Sequence, residues 1–333
     1  MPVRAFICGC SGLALSPEER DFIREAKPWG LILFKRNIDT PAQATLLVEQ
    51  FRAIAGRDAP VLVDQEGGRV QRLGPPHWRA YPSAAALAAT SSDASDLVET
   101  SARLMAHDLH ALGIDIDCLP VLDVPAPGGH DVIGSRAYGR DPATVARLGA
   151  AAARGLLAGG VLPVMKHIPG HGRAGADTHF ELPAVTASLA DLEASDFAAF
   201  ATCRDLPLAM TAHVIFSAVD PDYPATTSRK VVERVIRGHI GFDGLLVSDD
   251  LSMKALSGSF REKAAAVFAA GVDIALHCNG NLAESREVVA ATPWLEGKAQ
   301  ARATRALAMR QPPKPFDPVD AARMLDAALA SGV

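Results

Sequence analysis

The 333-residue sequence has few of the features that mark secreted, membrane-spanning or nucleic-acid-binding proteins. It contains only five cysteines and no CxxC pair, so we expect buried, reduced thiols and neither a disulfide framework nor structural zinc. Aromatic residues make up 5% and the net charge is −5, which argues against a basic surface or stacking platforms for nucleic acid. No apolar run is long enough to cross a membrane. Neither nucleic acid nor a membrane is therefore an expected partner.

The amino terminus allows two interpretations. Residues 5–15 are fairly apolar and follow Arg4, which gives a weak likeness to a secretory signal segment. Two cysteines in this stretch and a helix-capping signal at Ser16 fit a first strand of a folded domain better. We therefore expect the chain to begin with a strand and the protein to act in the cytoplasm.

Hydrophobic residues make up 49% of the chain, and they recur as short apolar runs followed by helical stretches. The runs predict eight strands, at residues 5–10, 30–34, 60–65, 114–121, 162–167, 206–213, 244–249 and 272–277. The intervening patterns predict helices that begin after Ser16 and then cover residues 41–55, 94–112, 142–157, 189–202, 229–239, 260–270 and 282–291. A last helix is predicted from residue 319 onwards.

Eight strand–helix repeats predict a parallel sheet that is covered by helices and closes into a (β/α)8 barrel of the TIM type. The near-continuous apolar strands fit this arrangement, because both faces of such a sheet are buried. We expect one catalytic domain over residues 1–333, with a helical tail from about 296 to 333. A doubly wound open sheet is the alternative, but residues 8–12 match its glycine-rich phosphate turn only loosely.

Polar residues follow the predicted strands at their carboxyl ends, which is where barrels of this type build their active sites. They are Lys35, Arg36, Asn37, Asp64, Glu66, Asp123, Lys166, His167, His213, Ser248, Asp249, Asp250, His277 and Asn279. A single aspartate after a strand is more often the cap of the next helix than a catalyst. The prediction of an active site therefore depends on at least six strands ending at one mouth.

Three segments resemble signatures of the family 3 glycoside hydrolases. They are VDQEGGRVQR at residues 63–72, KHIPGHG at 166–172 with DTH at 177–179 and LP at 182–183, and SDDLSM at 248–253. The resemblance covers roughly residues 5–280, and the pattern is similar to that of the bacterial β-N-acetylhexosaminidases of the family. It implies a retaining enzyme that removes terminal β-linked N-acetylglucosamine without a cofactor or a metal.

The resemblance also implies catalytic roles. Asp249 matches the family nucleophile, and an ionised carboxylate suits attack on an anomeric carbon. Asp250 is the alternative, although adjacent side chains of a strand point to opposite faces. His179 matches the acid/base, and Asp177 matches the carboxylate that orients it. Larger members take the acid from an additional domain, for which this chain is too short.

The remaining matches concern the substrate and the loop before His179. Asp64, Arg72, Arg136, Lys166 and His167 match substrate contacts of the family. His213 is expected either at the floor of the site or as a core histidine. Gly170, Gly172 and Gly175 predict a mobile loop, in which Thr178 and Arg173 depart from the usual family pattern.

Three alternatives remain open. A metal-dependent barrel hydrolase could use His167, His171, His179, His213 and Asp249, but strand one carries no HxH pair. A sugar-binding protein without activity would not need both Asp249 and the Asp177–His179 pair. A β-glucosidase of the same family would share the catalytic residues. The resemblance implies a monomer whose substrate is a peptidoglycan fragment, N-acetylglucosamine linked to anhydro-N-acetylmuramic acid with or without peptide.

Overall fold

Eight parallel strands close into a barrel in a computed structural model that describes residues 2–178 and 180–331. The strands are β1 (Arg4–Cys8), β2 (Pro28–Leu33), β3 (Val61–Val63), β4 (Ile116–Asp117), β5 (Leu162–Ile168), β7 (Leu208–Thr211), β9 (Leu245–Asp250) and β10 (Ile274–His277). Strand β10 closes the barrel by pairing with β1, with Phe6 opposite Ala275. The predicted (β/α)8 barrel is confirmed and the open sheet is wrong. Strands β6 (Ala184–Val185) and β8 (Ile215–Phe216) form a separate parallel pair outside the barrel.

Helices cover the outside of the barrel. They are α1 (Pro17–Ala26), α2 (Pro41–Ala55), α3 (Ala84–Ala88), α4 (Ser95–Ala111), α5 (Pro142–Ala158), α6 (Leu189–Ala194), α7 (Asp196–Thr202), α8 (Phe260–Ala270), α9 (Leu282–Ala291), α10 (Gly297–Ala308) and α11 (Pro318–Ser331). The segment Val231–His239 is π-helical. In the part of the chain that is described, no helix combines the length and the hydrophobicity needed to cross a bilayer.

The start of α1 shows how local sequence sets an element boundary. The Ser16 hydroxyl accepts a hydrogen bond from the Glu19 amide, and the Glu19 carboxylate accepts one from the Ser16 amide at 2.7 Å. This reciprocal capping satisfies two amides that have no partner inside the helix, and Pro17 occupies the first helical position, where no amide donor is needed. The predicted boundary is confirmed.

Two predicted elements differ in the structure. The helix predicted over residues 189–202 is broken at Ser195, whose hydroxyl bonds the Asp196 carboxylate at 2.6 Å, a local contact that competes with helical backbone bonds. Strand four is shorter than predicted because Pro120 has no amide to donate to a ladder. The chain still follows β5 beyond it, since the Leu122 amide donates to the Lys166 carbonyl at 2.7 Å.

Apolar side chains from all eight strands fill the barrel interior. They include Ala5, Ile7, Trp29, Ile32, Leu62, Ile116, Leu162, Val164, Leu208, Met210, Leu245, Val247, Ile274 and Leu276. A second cluster packs the outer faces of the strands against the helices. All five cysteines are buried and unpaired, as expected. Above this packed interior, the carboxyl ends of the strands form the floor of a pocket.

Candidate active site

One pocket opens at the carboxyl ends of the barrel strands. Ile32, Met210 and Leu276, from three different strands, contribute apolar surface to it. The polar residues that line it are Asp64, Glu66, Arg72, Arg136, Lys166, His167, His171, Thr178, Asp249 and Asp250. Polar groups from the ends of β3, β5 and β9 and from the loop after β4 therefore meet at one mouth. The polar residues that follow β2 and β7 and those at the end of β10 are not among its lining residues, so fewer strand ends contribute than the six that were expected.

Lys166 is the centre of a buried ion-pair network on one side of the pocket. Its Nζ lies 2.7 Å from Asp64 Oδ1 and 2.6 Å from Glu66 Oε1. The other oxygen of Asp64 accepts a hydrogen bond from Arg72 Nη2 at 3.0 Å. Arg136 holds Glu66 with two parallel bonds of 2.8 Å, from Nε and from Nη2. We call Asp64, Glu66, Arg72, Arg136 and Lys166 the clamp.

The clamp carries fixed charges. Burial opposes ionisation of Asp64 and Glu66, but the neighbouring cations outweigh it, so the pKa of Asp64 lies far below its usual range and that of Glu66 is about 2. The pKa of Lys166 is raised by the same two carboxylates, against the effect of burial. Charged donors and acceptors that are already oriented can bind sugar hydroxyls at little further cost in conformational entropy.

Glu66 is a member of the clamp to which the sequence assigned no role. A signal for it exists: Asp64 and Glu66 are two residues apart in an extended segment, so their side chains share a face. Gln65 between them points away and is buried, and its side-chain oxygen accepts from the amides of Arg72 and Leu73 at 2.9 and 3.0 Å. Gln65 therefore fixes the turn that brings Arg72 back to Asp64.

Asp249 and Asp250 end strand β9, and both border the pocket. Strand alternation alone therefore does not separate them, but their hydrogen bonds do. One oxygen of Asp250 accepts from the amides of Ser252 and Cys278, each at 3.0 Å, and the other accepts from the Ser252 hydroxyl. Asp250 thus holds two loops together. The Asp249 carboxylate accepts a hydrogen bond from the Asp250 amide, at 2.8 Å from Oδ1.

Charge around Asp249 keeps its carboxylate ionised. Burial raises its pKa, but His213, His167, Lys166 and the Asp250 amide outweigh burial, and the pKa lies below the usual value. A carboxylate that is ionised at neutral pH can act as a nucleophile or stabilise a developing cation.

His213 does not line the pocket. Its side chain is fully buried, with Nδ1 2.7 Å from the Thr226 hydroxyl and Nε2 3.1 Å from the Asp250 carbonyl. Both ring nitrogens therefore have partners inside the protein, and burial lowers the pKa of His213. The structure favours a core histidine under the end of β9 over a substrate contact at this position.

His167 does line the pocket, and a buried carboxylate orients it. Asp123 Oδ2 lies 2.7 Å from His167 Nδ1, and its Oδ1 accepts from the amides of His167 and His171 at 3.3 and 2.6 Å. The sequence placed Asp123 at a strand end without a role. The structure shows that it joins the end of β5 to the start of the loop that follows.

The loop after β5 contains the predicted acid/base segment. His179 lies outside the described residues, whereas Asp177 is described and half-buried. The three glycines differ: Gly170 has a φ of +139°, and nothing lies near a side chain added at Gly175. A Cβ at Gly172 would lie 2.1 Å from the Val124 carbonyl oxygen, so this glycine permits close backbone packing and is not a free hinge.

Among residues 2–178 and 180–331, no group of three or more histidine, cysteine, aspartate or glutamate side chains is arranged to hold a metal ion. Two of the residues suggested for a metal site have other partners: His167 bonds Asp123, and His213 bonds Thr226. The described residues therefore supply no ligand set for a metal-dependent hydrolase.

Comparison with known proteins identifies the family. The glycosyl hydrolase family 3 N terminal domain matches residues 8–308. A β-hexosaminidase of Pseudomonas aeruginosa (strain LESB58) is 41% identical over 271 residues, which are 80% of each chain. The structure of NagZ from Neisseria gonorrhoeae in complex with N-trifluoroacetyl-D-glucosamine has a TM-score of 0.84 at 32% identity, covering 99% of this chain and 97% of that one. For a family 3 β-N-acetylglucosaminidase from Paenibacillus sp. str. FPU-7, the TM-score is 0.82 at 32% identity, and the coverage is 99% of this chain and 62% of that chain.

A parallel eight-stranded barrel with a carboxylate-lined pocket at its carboxyl end fits a glycoside hydrolase, and the chain belongs to glycosyl hydrolase family 3. Within this family, its curated relatives are β-hexosaminidases. The predicted family and the predicted enzyme class, a β-N-acetylhexosaminidase, are confirmed.

Proposed function

We propose that the protein removes terminal, non-reducing β-N-acetylglucosamine by a retaining mechanism, with Asp249 as the nucleophile. The observation that carries this proposal is the contrast at the end of β9. The Asp250 carboxylate is occupied by the Ser252 and Cys278 amides, whereas the Asp249 carboxylate accepts from the adjacent Asp250 amide and lines the same pocket as the clamp.

In this mechanism the Asp249 carboxylate attacks the anomeric carbon while the bond to the leaving oxygen breaks. His179 gives its proton to that oxygen, and Asp177 orients the imidazole and stabilises its protonated form. Water then attacks the glycosyl-enzyme, His179 takes the proton from the water, and Asp249 leaves as a carboxylate. The low pKa of Asp249 supports this role, because the attacking form is present at neutral pH.

Recognition of one sugar ring is assigned to the clamp together with His167. Asp64, Glu66 and the cations around them offer both acceptors and donors to vicinal hydroxyls. The gonococcal relative was solved with N-trifluoroacetyl-D-glucosamine, which supports a 2-acylamino sugar as the ligand of this pocket. We propose that the natural substrates are peptidoglycan fragments with N-acetylglucosamine on anhydro-N-acetylmuramic acid, with or without peptide. The five unpaired thiols fit a cytoplasmic site of action.

The test is a comparison of aryl glycosides that differ only in the sugar. We expect the purified protein to release 4-nitrophenol from the β-N-acetylglucosaminide much faster than from the β-glucoside, with and without EDTA. Faster release from the glucoside would identify a β-glucosidase, and loss of activity that zinc restores would identify a metal-dependent enzyme. Binding of N-acetylglucosamine without turnover of either glycoside would identify a sugar-binding protein.

A further inference from the structure

Thr178 is buried, unlike the described residues on either side of it. Among the described residues between 175 and 182, the others are exposed or half-buried, whereas Thr178 is 3% exposed. It lies next to Asp177 in sequence, directly before His179. A single buried side chain in such a stretch can determine where its neighbours are held.

The contacts of Thr178 connect two loops of the pocket. Its carbonyl accepts a hydrogen bond from the Ala255 amide at 3.2 Å, in the loop that follows β9 and Asp249. Its hydroxyl lies 3.4 Å from Nε2 of His171. Near this junction Lys254 Nζ lies 5.9 Å from the centre of the Phe180 ring. The acid/base stretch is thus in contact with the loop that extends from the nucleophile strand.

His171 supplies the fixed end of this arrangement. Its amide donates to the buried Asp123 carboxylate at 2.6 Å, and its ring packs edge-on against His167 at 5.7 Å. Burial, followed by the charge of His167, lowers the pKa of His171 to about 4, so its ring is neutral at neutral pH. A neutral imidazole can bond a hydroxyl either as donor or as acceptor.

The root of the loop is held independently of Thr178. The amides of Ala126 and His130 donate to the carbonyls of Gly172 and Ala174, at 3.1 and 2.8 Å. Arg173 Nε also bonds Asp196 Oδ2 at 2.6 Å. The root therefore needs no further support, and the His171–Thr178 contact acts on the part of the loop beyond it.

We propose that His171 and Thr178 are positioning residues that fix the chain at Thr178, between Asp177 and His179 in sequence, at the pocket that Asp249 also lines, with the Thr178 hydroxyl bound by His171 and the Thr178 carbonyl bound by the Ala255 amide. This inference rests on the proposed roles of Asp177 and His179 as the proton-delivering pair. Neither positioning residue exchanges a proton with the substrate. Their effect is on the distance and angle at which the proton reaches the leaving oxygen, which governs the efficiency of general acid catalysis.

Acid positioning has a kinetic signature that a general structural role lacks. A leaving group that is stable as an anion needs little protonation, whereas a poor leaving group depends on the acid. Loss of positioning therefore slows the cleavage of poor leaving groups selectively. Damage to Asp249 or to the clamp slows both kinds of substrate, because both kinds need attack at the anomeric carbon.

The experiment compares Thr178→Val, which keeps the shape and removes the hydroxyl, with the conservative variant Thr178→Ser. We expect Thr178→Val to lower kcat/KM for phenyl β-N-acetylglucosaminide by about 10- to 100-fold, and that for the 2,4-dinitrophenyl glycoside by less than about 3-fold. Thr178→Ser should remain close to the wild type on both substrates. His171→Phe, which fills a similar volume without a hydrogen bond, should reproduce the selective loss.

Equal losses on the two glycosides in Thr178→Val or His171→Phe would overturn the proposal. A Thr178→Ser variant as slow as Thr178→Val would also overturn it, because the hydroxyl would then have no role. Melting temperatures identify a variant that fails to fold. If Thr178→Val fails to fold, the two rates of His171→Phe decide whether the loss is selective for the poor leaving group. If the wild type hydrolyses neither glycoside, the proposed function fails instead, which is a distinguishable result.

Discussion

The clamp and the 170–183 loop border the same pocket but are built differently. Each carboxylate of the clamp is bound by two cations, and Lys166 at its centre is 2% exposed on a barrel strand. The described residues of the loop belong to no strand, and its stretch beyond residue 175 is anchored through the hydroxyl and the carbonyl of Thr178. In the proposed mechanism this difference corresponds to a division of labour, in which strands fix the binding groups and the nucleophile while the loop supplies the proton.

This division has a physical reason. A sugar-binding site gains from groups that are oriented before binding, since no entropy is then lost in ordering them. A proton donor must reach the leaving oxygen and also allow the aglycone to enter and leave, so a loop suits it better. Four substitutions test the contrast between the two regions.

The largest effect is expected from Asp249→Asn. An amide cannot form the glycosyl-enzyme, so kcat should fall on the order of 10⁴-fold or more with every aryl N-acetylglucosaminide, whatever its leaving group. The matched change is Asp250→Asn, one residue along the strand. We expect that variant to lose thermal stability, because Asp250 binds the Ser252 and Cys278 amides. Full activity in Asp249→Asn would show that another residue is the nucleophile.

The second effect concerns the clamp. Glu66→Gln keeps the shape of the side chain but removes the negative charge that pairs with both Lys166 and Arg136. We expect the free energy of unfolding to fall by about 3 kcal/mol, the usual cost of removing one partner from a buried ion pair, and KM to rise. Urea unfolding and steady-state kinetics measure these changes. The exposed Lys35, at the end of β2, provides a control as Lys35→Gln. Unchanged stability in Glu66→Gln would show that the clamp is not preorganised by charge.

The third effect is on pH dependence. The pKa of His171 in the folded protein, about 4, is below that of an unfolded histidine, about 6.5, so between these values only the unfolded chain holds the proton. Stability from this group is complete above the unfolded pKa and is lost as the pH falls towards 4. The free energy of unfolding of His171→Phe should therefore depend less steeply on pH in this window. An unchanged slope in His171→Phe would contradict this account.

The smallest effect is expected at the root of the loop. Arg173→Gln removes the bonds to Asp196 and Ser195, but the backbone bonds of Gly172 and Ala174 remain. We expect a stability loss of about 1 kcal/mol and a smaller loss of activity than in Thr178→Val. Arg147→Gln, which removes an exposed ion pair with Asp93, is the control and should be neutral. A larger loss of activity in Arg173→Gln than in Thr178→Val would place the main support of the loop at its root.

The fold could be predicted from the sequence because each strand is a short apolar run with a polar end. The helix that begins at Ser16 could be predicted because its capping residues are neighbours in sequence. The break at Ser195 could not, since the Ser195–Asp196 contact that competes with the helix is also bound by Arg173, which is 22 residues from Ser195 in sequence. Contacts between separate segments leave no local pattern.

The same limit applies to the site. Asp64 follows β3, while Lys166 and Asp249 lie near the carboxyl ends of β5 and β9. All three belong to the family motifs, and the structure brings them into one pocket. Asp123 and Glu66 were not assigned roles, because their partners lie on other strands and loops. The sequence could not decide between the two alternatives for His213 for a related reason, since its partner Thr226 follows β8 and belongs to no motif.

The most direct measurement is the mass of the protein after incubation with a 5-fluoro derivative of N-acetylglucosaminyl fluoride, which slows hydrolysis of the glycosyl-enzyme. We predict one sugar per chain, located by peptide mapping on Asp249, and no label in Asp249→Asn. Thr178→Val should still be labelled, because fluoride needs little help from an acid as a leaving group. A label on Asp250, or turnover of the fluoride without any covalent label, would contradict the assignment of Asp249 as the nucleophile.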